Sequence, residues 1–476
     1  MNSNHGYQPI SSKPSYSKWA LSSLALSMLL SSLGVSIANI ALPTLVEAFA
    51  ASFQQVQWVI IAYLLSITVM IVSVGRLGDT LGRRPVLLAG ISLFIIASLI
   101  CSLAPTLWIL ITARAMQGLA AAILMTLTIA LVRDTVPEQK TGRAMGLLGT
   151  MSAIGTALGP SLGGLLIDGS GWRAIFLVMV PIGALNLFLA YRYLPKKITI
   201  TKTEEQSFDW LGTIILGIAL AAYALAVTTG KDSVQPINIA LLLLSLIGGS
   251  LFIIVQTRVT SPLIELTILR NVVLTNNLIM NALVSTVMMA TLIVGPFYLS
   301  QALELNALSV GAIMSIGPII SSLTGLPAGR LVDRTGALLM VITGLLAMTA
   351  GSFALSMLPA IFGITGYIVA IAILTPGYQL FQAANNTAVM MHVASGQRGV
   401  ISGLLSLSRN IGLITGASVM GAVFAYASKN SVIANSSPKA VEAGMQATFL
   451  VATILIIIAL GLSVRNRSLQ ATHLNQ

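Results

Sequence analysis

Residues 75–84 read Gly75-Arg76-Leu77-Gly78-Asp79-Thr80-Leu81-Gly82-Arg83-Arg84, a basic stretch between two apolar runs that are each long enough to cross a bilayer. A second version lies at 329–336 and reads Gly329-Arg330-Leu331-Val332-Asp333-Arg334-Thr335-Gly336. Shifting the first copy by 254 positions, from 75 to 329, aligns five residue types: Gly, Arg, Leu, Asp and the closing Gly. The pattern predicts that one helical unit occurs twice in the chain, in the same order.

A second pair of stretches repeats at nearly the same distance. The triplet Gly146-Leu147-Leu148 returns as Gly403-Leu404-Leu405, an offset of 257 positions. At that offset four further residues coincide in type, and the pairs are Ile154, Gly155, Gly159 and Gly164 with Ile411, Gly412, Gly416 and Gly421. Two separate matches therefore support a duplicated unit.

The composition places the chain in a bilayer. Of its 476 residues 56% are hydrophobic and only 8% are charged, whereas soluble domains carry about 25% charged residues. We therefore predict an all-α polytopic membrane protein. The formal charge of +12 does not indicate nucleic-acid binding, because the basic residues are scattered between apolar runs and form no stripe.

Fourteen apolar runs are long enough to span a membrane. Placing the N-terminus in the cytoplasm puts nineteen basic residues on the inner side and only Arg173, Lys231, Lys429 and Lys439 on the outer side. This split follows the positive-inside rule through every loop, and it predicts that both termini are cytoplasmic. The predicted spans are 19–41, 56–77, 85–104, 106–131, 143–167, 172–194, 210–229, 236–256, 272–299, 308–328, 338–358, 361–390, 400–427 and 446–464.

The repeats divide the chain. The loop motif follows span 2 and its copy follows span 10, while the glycine pattern lies on spans 5 and 13, so both pairs are eight spans apart. Spans 1–6 and 9–14 are therefore predicted to form two six-helix halves, with spans 7 and 8 inserted between them. The predicted division is a disordered cytoplasmic tail (1–18), a first half (19–194), a linker with two inserted helices (195–258), a second half (259–467) and a cytoplasmic tail (468–476).

Further stretches identify a family. Span 4 contains Arg114-Ala115-Met116-Gln117-Gly118, and span 5 contains Gly155-Thr156-Ala157-Leu158-Gly159-Pro160-Ser161-Leu162-Gly163-Gly164. With residues 75–84 and Asn39-Ile40-Ala41-Leu42-Pro43, they resemble the motifs of the major facilitator superfamily, specifically its fourteen-span drug:proton antiporters. The resemblance covers about residues 20–465. It implies the major facilitator fold, and multidrug or metabolite export across the cytoplasmic (inner or plasma) membrane by alternating access with proton coupling.

The repeated loop motif is a candidate conformational switch. Its glycines allow span 2 to approach a neighbouring helix closely. Asp79 can cap the positive end of a helix, and Arg83 can hold that carboxylate in one state of the transporter. The alternative is a plain positive-inside loop with a glycine turn. The candidate switch residues are Gly75, Gly78, Asp79, Gly82, Arg83, Gly329, Asp333 and Gly336.

The span 5 stretch corresponds to the antiporter motif of the family it resembles, which associates this motif with export. Gly155, Gly159 and Gly163 recur every four residues on one helix face, a spacing that permits tight helix contact. Pro160 can bend the helix, and Gly164 completes the motif. Helix packing with no bearing on direction is one alternative, and import is the other.

Two arginines lie inside predicted spans, Arg114 in span 4 and Arg409 in span 13. A charge at bilayer depth costs at least ~2.5–3.5 kcal/mol and marks a functional site by default. The alternative is a structural arginine bonded to helix carbonyls. The repeat pairs Arg409 with the neutral Ser152. Other polar residues in spans are candidates either for a central cavity or for interhelical hydrogen bonds, and they are Asn39, Tyr63, Gln117, Tyr298, Tyr378, Gln382, Asn385 and Asn386.

The chain departs from the family it resembles at residue 34, where relatives usually carry an aspartate suited to proton transfer. Here the residue is Gly34, and all thirteen acidic residues lie in loops or at span ends. If protons are coupled, the candidate carriers are Asp168 and Glu304 on the outer side, with Asp79 inside. The missing acid favours a substrate that is neutral or carries an acidic group, such as a polar or siderophore-like metabolite.

Other functions compete with drug export. An exporter or uniporter of one neutral or anionic metabolite, or an importer of an organic anion, is favoured by the missing acid. A non-transporting membrane sensor is disfavoured by the intact motif pairs. The sequence contains no nucleophile–base pair, metal-ligand cluster or phosphate-binding loop, so no enzyme, cofactor, metal or ATP drive is expected. The expected partners are a small-molecule substrate, the lipid bilayer and protons, with a periplasmic adaptor protein left open.

Overall fold

A computed structural model describes residues 14–136, 141–195, 210–228, 235–259, 270–391, 398–428 and 437–474. Within these ranges the regular backbone is entirely helical. The helices are α1 (Pro14–Ile40), α2 (Leu42–Ala48), α3 (Phe53–Leu81), α4 (Arg83–Leu103), α5 (Leu107–Thr135), α6 (Thr141–Ser170), α7 (Ala174–Leu177), α8 (Met179–Tyr193), α9 (Trp210–Thr228), α10 (Pro236–Arg258), α11 (Val272–Phe297), α12 (Ala307–Thr335), α13 (Ala337–Met391), α14 (Arg398–Thr415), α15 (Gly421–Ala427) and α16 (Pro438–Leu474). One π-helical turn, Tyr298–Ala302, ends α11, and another, Gly416–Met420, joins α14 to α15.

The number of membrane crossings agrees with the sequence. In the described ranges, 13 helices are long and apolar enough to span a bilayer, and the longest of them covers 54 residues at 337–390. A straight helix of that length would measure roughly 80 Å, far more than the hydrocarbon core of about 30 Å. The segment instead breaks at Gly363, whose φ of 52° and ψ of −126° are not helical. It therefore supplies two crossings, which brings the total to the predicted fourteen.

Several boundaries differ from the sequence prediction. Helix α1 begins at Pro14, so residues 14–18 are helical and do not belong to a disordered tail. Helix α16 begins at Pro438 instead of 446 and continues to Leu474, so most of the predicted tail at 468–476 is helical as well. The reason is the same in both places: hydropathy marks only the part of a helix inside the hydrocarbon, while backbone hydrogen bonds continue the helix into the interface.

The loop repeat has the same backbone conformation in both copies. Helix α3 ends at Gly82 with a φ of 92°, and α12 ends at Gly336 with a φ of 90°. Side chains with a Cβ rarely adopt this conformation, which turns the chain directly into α4 and α13. The closing glycine of the motif is therefore a structural requirement at 82 and again 254 residues later.

Glycines also bring equivalent helices together within each part of the chain. Residues 14–195 are called the first half, 210–259 the insert and 270–474 the second half. In the first half, a Cβ added at Gly155 would lie 2.6 Å from the Leu29 carbonyl oxygen, so α6 packs directly on the backbone of α1. In the second half, Gly412 meets the Ala282 carbonyl and Gly416 the Thr286 carbonyl of α11 in the same way. The glycine repeat thus produces the same close helix pair twice.

The insert bridges the two halves through α9. Near one end of α9, the Thr213 hydroxyl lies 2.8 Å from the Ser73 hydroxyl of α3. At the other end, the indole N–H of Trp58 donates to the Thr228 hydroxyl at 3.0 Å. Towards the second half, the Tyr223 hydroxyl donates to Thr415 Oγ1 at 3.1 Å. Helix α10 packs on α9 and exposes most of its apolar side chains, as expected for a lipid-facing helix.

Candidate functional site

The two halves meet tightly at one end of the bundle, which is called the closed end. Gly164 of α6 faces α12, where an added Cβ would lie 2.5 Å from the Ala307 carbonyl oxygen and 3.0 Å from the Gly311 Cα. Its repeat partner Gly421 faces the side chain of Gln57 on α3. The last glycine of each copy, Gly164 or Gly421, therefore contacts the opposite half, whereas Gly155 and Gly412 contact their own half.

Aromatic and polar contacts complete the closed end. Phe53 of the first half packs edge-on against Phe297, with ring centroids 4.7 Å apart, and against Phe424 at 5.5 Å. All three rings are fully buried. The Gln57 amide donates to the Ala417 carbonyl at 3.0 Å. Because this carbonyl lies in the π-helical turn Gly416–Met420, where the regular hydrogen-bond ladder is interrupted, it can accept a bond from another helix.

The same helices separate towards the other end of the bundle, which is called the open end. On α6 and α14 the glycines nearer that end, Gly146 and Gly403, have nothing within 4 Å of an added Cβ. Helix α12 shows the same loss of contact along its length, because Gly311 is in tight contact with α6 whereas Gly325 has nothing within 4 Å of an added Cβ. Contact between the halves is thus concentrated at the closed end.

A cavity of about 610 Å³ lies between the halves on the side of the open end. Among the described residues, the first half contributes the segment 149–156 of α6, and the remaining lining comes from α11, α12, α13 and α14. Four residues predicted as candidate substrate contacts line it, and they are Tyr378, Gln382, Asn386 and Arg409. The structure thus brings this subset of the candidates together around one space.

The cavity also contains polar residues that the sequence did not single out. The Gln379 amide donates to the backbone and side-chain oxygens of Ser321, which joins α13 to α12. Asn281 and Thr291 lie on the α11 wall and Ser406 on the α14 wall. Each is a neutral polar residue in a predicted span that contains other polar residues, so no sequence signal distinguishes a cavity-lining residue from one that forms an interhelical hydrogen bond.

Arg114 is sealed inside the first half and does not line the cavity. Its side chain is completely buried. Nε donates to the Val59 carbonyl at 3.0 Å, and one terminal nitrogen donates to Gln117 Oε1 at 2.6 Å. The guanidinium lies 4.1 Å from the centre of the Tyr63 ring. Its other terminal nitrogen has no hydrogen-bond partner, so the arginine is stacked and bonded without a facing carboxylate in the described residues.

Gly34 lies beside this arginine cluster. The Tyr63 hydroxyl donates to the Ser31 carbonyl at 3.0 Å. A Cβ added at Gly34 would come within 2.9 Å of that hydroxyl and 3.5 Å of the Phe94 ring. The phenol therefore occupies the place that a side chain at residue 34 would take, and the absence of an aspartate is matched by the packing around it.

Three other candidate residues form interhelical or intrahelical bonds away from the cavity. The Asn39 amide donates to the Val35 carbonyl of its own helix at 3.2 Å. The Tyr298 hydroxyl donates to the Pro359 carbonyl at 3.0 Å, which ties α11 to α13. The Asn385 amide donates to the Asn277 carbonyl at 3.5 Å. In this state they serve the packing of the helices.

The candidate switch residues lie at the open end. Gly78 is in close contact with Leu127 of α5, as expected for a helix-approach glycine, whereas the nearest atom to an added Cβ at Gly75, on Thr126, is 3.9 Å away. The Arg83 side chain lies beside Gly78. The side chain of Asp79 is outside the described residues. In the second copy, Gly329 has open space around it and Asp333 is exposed.

The candidate proton carriers are on the outside of the bundle. Asp168 lies near the end of α6 and Glu304 before α12, and both side chains are exposed. Neither lines the cavity. The antiporter-motif residues Pro160 and Gly163 lie on α6, where Gly163 packs against Ile40 and Ile37 of α1. Among the described residues, no group of three His, Cys, Asp or Glu side chains could hold a metal ion.

Replacing Phe53 with alanine tests the closed end. Truncating a buried phenylalanine removes about 3–5 kcal/mol of packing, and here the lost contacts are with the opposite half. We expect faster amide hydrogen exchange in α15, residues 421–427, measured by mass spectrometry. The matched control is Phe94→Ala, because Phe94 is equally buried but packs inside the first half, beside Gly34. Equal exchange in α15 for both variants would contradict a closing role for Phe53.

Comparisons with known proteins agree with this geometry. A family model described as the Major Facilitator Superfamily matches residues 24–417. The riboflavin transporter RibZ of Clostridioides difficile is 28% identical over 442 residues, which cover 92% of this chain and 96% of RibZ. The multidrug resistance protein Stp of Mycobacterium tuberculosis is 34% identical over 398 residues, covering 82% of this chain and 72% of Stp.

Two solved structures share the fold. The nucleoside transporter NupG superposes with a TM-score of 0.67 at 14% identity, covering 94% of this chain and 99% of NupG. A bacterial homologue of the human lysosomal transporter Spinster also gives a TM-score of 0.67, at 15% identity, with 96% and 98% of the two chains covered. At such identities the likeness concerns the fold alone.

Proposed function

Because the chain belongs to the major facilitator superfamily, whose curated relatives include multidrug efflux pumps and a riboflavin transporter, we propose that this secondary transporter exports small molecules from the cytoplasm by alternating access. The cavity would load substrate in the state described here, with the closed end facing outward. The observation that carries the proposal is the asymmetry between the tight contact of Gly164 with Gly311 at one end and the cavity at the other.

The orientation rests on the basic residues. Described lysines and arginines at the open end, such as Arg84 after α3 and Arg334 at the end of α12, outnumber those at the closed end, such as Arg173 and Lys439. Positive residues favour the cytoplasmic side of a membrane protein. The open end would therefore face the cytoplasm, both termini would be cytoplasmic, and the division into two halves and an insert would follow the membrane topology predicted from the repeats.

If transport is coupled to protons, the proton carrier differs from the span 1 aspartate of the drug:proton antiporters that this chain resembles. Among the described residues that line the cavity there is no carboxylate, and Gly34 occupies the position where an aspartate would stand. If a proton is exchanged, an exposed acid such as Asp168 or Glu304 would have to carry it. The second candidate function, uncoupled movement of one neutral or anionic metabolite, is favoured by the same absence.

The two functions are separated by flux measurements on purified protein in liposomes that enclose a pH-sensitive dye. A proton gradient is imposed, and cationic, neutral and anionic drugs of similar size are added one at a time. Substrate-dependent proton movement that is lost in Asp168→Asn or Glu304→Gln would support antiport. Substrate movement without proton flux would support the uniporter, and the absence of saturable movement of every compound would contradict export of drug-like molecules.

A further inference from the structure

Arg409 is a charge in the cavity that no acidic side chain among the described residues balances. Its side chain is exposed on α14, and it lines the cavity together with Ser406 one turn earlier. The described lining residues include no second cation and no carboxylate. An intramembrane arginine is normally paired or hydrated. Because Arg409 has no salt bridge to a described residue and is exposed to the cavity, an acidic group of a ligand can reach the guanidinium directly.

Comparison of the two repeats shows that the cavity carries this charge on the α14 wall and not at the equivalent position of α6. The repeat partner of Arg409 is Ser152, and both residues line the same cavity on opposite halves. Ser152 is neutral and lies 2.6 Å from the Ser32 hydroxyl, measured between the two oxygens. Two equivalent helix positions therefore present one guanidinium and one hydroxyl, so the electrostatic potential of the cavity is positive on the α14 side.

The other walls suit the uncharged part of a ligand. The Gln382 amide donates to the Tyr378 hydroxyl at 2.9 Å, and both residues line the cavity on α13. Met288 and Met314 provide flexible apolar surface on α11 and α12. A volume of about 610 Å³ falls within the range of small-molecule sites. The cavity therefore offers a fixed cation, neutral hydrogen-bonding groups and an apolar surface.

We infer that Arg409 is the specificity-determining residue of the cavity and that its preferred substrates are small organic anions, with a carboxylate or a similar acidic group bound by the guanidinium. The planar guanidinium matches the geometry of a carboxylate, and a charge-assisted bond is stronger than a neutral one. The inference rests on the proposed transport function for its biological meaning, but anion binding at Arg409 can be measured without transport.

The first test measures the potential beside Arg409. A cysteine at Ser406 would be one helical turn from the arginine, and replacing the buried Cys101 with alanine leaves it as the single thiol of the chain. The thiol is reacted with an anionic sulfonatoethyl and a cationic trimethylammonioethyl methanethiosulfonate. We expect the ratio of anionic to cationic rates to fall by about tenfold in Arg409→Gln, the size expected for one unit charge roughly 6 Å away in water.

The control and the fallback for this test use residues of α12. Arg330→Gln removes an exposed arginine that does not line the cavity, and it should leave the rate ratio unchanged. If Ser406→Cys fails to fold, a cysteine at Ser322 on the opposite wall reports the same potential with a smaller expected change. A rate ratio that is the same with and without Arg409 would overturn the inference.

The second test measures binding. Anthracene-9-carboxylate, 9-anthracenemethanol and 9-anthracenylmethyl-trimethylammonium share one ring system, and their fluorescence is titrated with the protein in lipid nanodiscs, with empty nanodiscs subtracted. We expect the wild type to bind the carboxylate about tenfold more tightly than the alcohol, and Arg409→Gln to abolish this preference, with partial recovery in Arg409→Lys.

The binding outcomes are separate from those of the transport proposal. If the wild type shows no preference for the carboxylate, or prefers the trimethylammonium compound, the inference about Arg409 is overturned. If the carboxylate preference is present and depends on Arg409 while liposomes show no export, the transport proposal fails and the anion site stands.

Discussion

Gly311→Leu is expected to lower transport roughly tenfold without preventing folding, because it removes the contact that lets the halves close at one end. A Cβ at residue 311 would collide with the Pro160 carbonyl and would lie 3.0 Å from the Gly164 Cα, so α6 and α12 must move apart. Overpacking of this kind costs about 1–3 kcal/mol. Since this contact belongs to the state described here and alternating access requires it to break, a change of that size would alter the balance of states by roughly 5- to 150-fold.

The effect can be measured directly as a distance between the halves. Spin labels at Gly169 and Leu308, both exposed near the closed ends of α6 and α12, are introduced after Cys101→Ala. We expect a longer distance to become populated in Gly311→Leu. The matched control is Gly249→Leu on α10, where an added Cβ has nothing within 4 Å. Wild-type distances and wild-type flux in Gly311→Leu would show that close approach at this crossing is unnecessary for the transport cycle.

Arg114→Met is expected to leave the fold as stable as the wild type or to stabilise it by about 1–3 kcal/mol. A buried charge costs several kcal/mol to desolvate, and replacing a buried ion pair or triad with well-packed apolar residues of similar volume is often neutral or stabilising. Arg114 is fully buried, faces no described carboxylate and has one terminal nitrogen without a partner. Methionine fills much of the same volume and carries no charge.

Arg173→Met is the matched control for this prediction. Arg173 also donates to a backbone carbonyl, that of Ala104 at 3.2 Å, and also lies over an aromatic ring, that of Trp172 at 4.3 Å. Its side chain is exposed, so its replacement removes similar contacts without relieving a buried charge. Thermal unfolding in detergent should therefore show a small loss for Arg173→Met only. A loss above about 3 kcal/mol in Arg114→Met would identify Arg114 as a structural residue whose bonds outweigh its burial.

The sequence predicted the features that depend on length, periodicity and backbone conformation. Fourteen crossings follow from hydropathy and from the distribution of basic residues, because both reflect the thickness of the bilayer and its polarity. The identical conformations of Gly82 and Gly336 follow from the repeat, because only glycine adopts that φ readily. The close packing of Gly155 and Gly412 follows from glycine spacing, since a missing side chain has the same consequence in both halves.

The features that depend on tertiary packing were not accessible to the same reasoning. The sequence predicted the boundary between spans 11 and 12 at residues 359–360, whereas the backbone leaves the helical conformation at Gly363, because hydropathy does not determine which residue makes the turn. Asn386 lines the cavity and Asn385 does not, although they are adjacent in the chain. Arg114 and Arg409 are both charged residues inside predicted spans, yet Arg114 is buried against the Tyr63 ring and Arg409 lines the cavity. Which side chains of a helix face the cavity depends on how the helices pack against one another.

The contacts of α9 determine which half carries the insert, and therefore how much lipid each half contacts. Hydrogen bonds to Ser73 and Trp58 join α9 to α3 at two separate levels. Towards the second half, α9 forms the bond from Tyr223 and packs Ile215 in an apolar cluster with Leu404. Because hydrogen bonds are directional whereas apolar contact is not, we expect the insert to travel with the first half. Because α10 exposes its apolar side chains along its length, that moving body has a larger circumference of annular lipid than the second half. The first half with the insert would therefore experience more viscous drag from the bilayer than the second half. During the change of state, the second half would move further relative to the surrounding lipid.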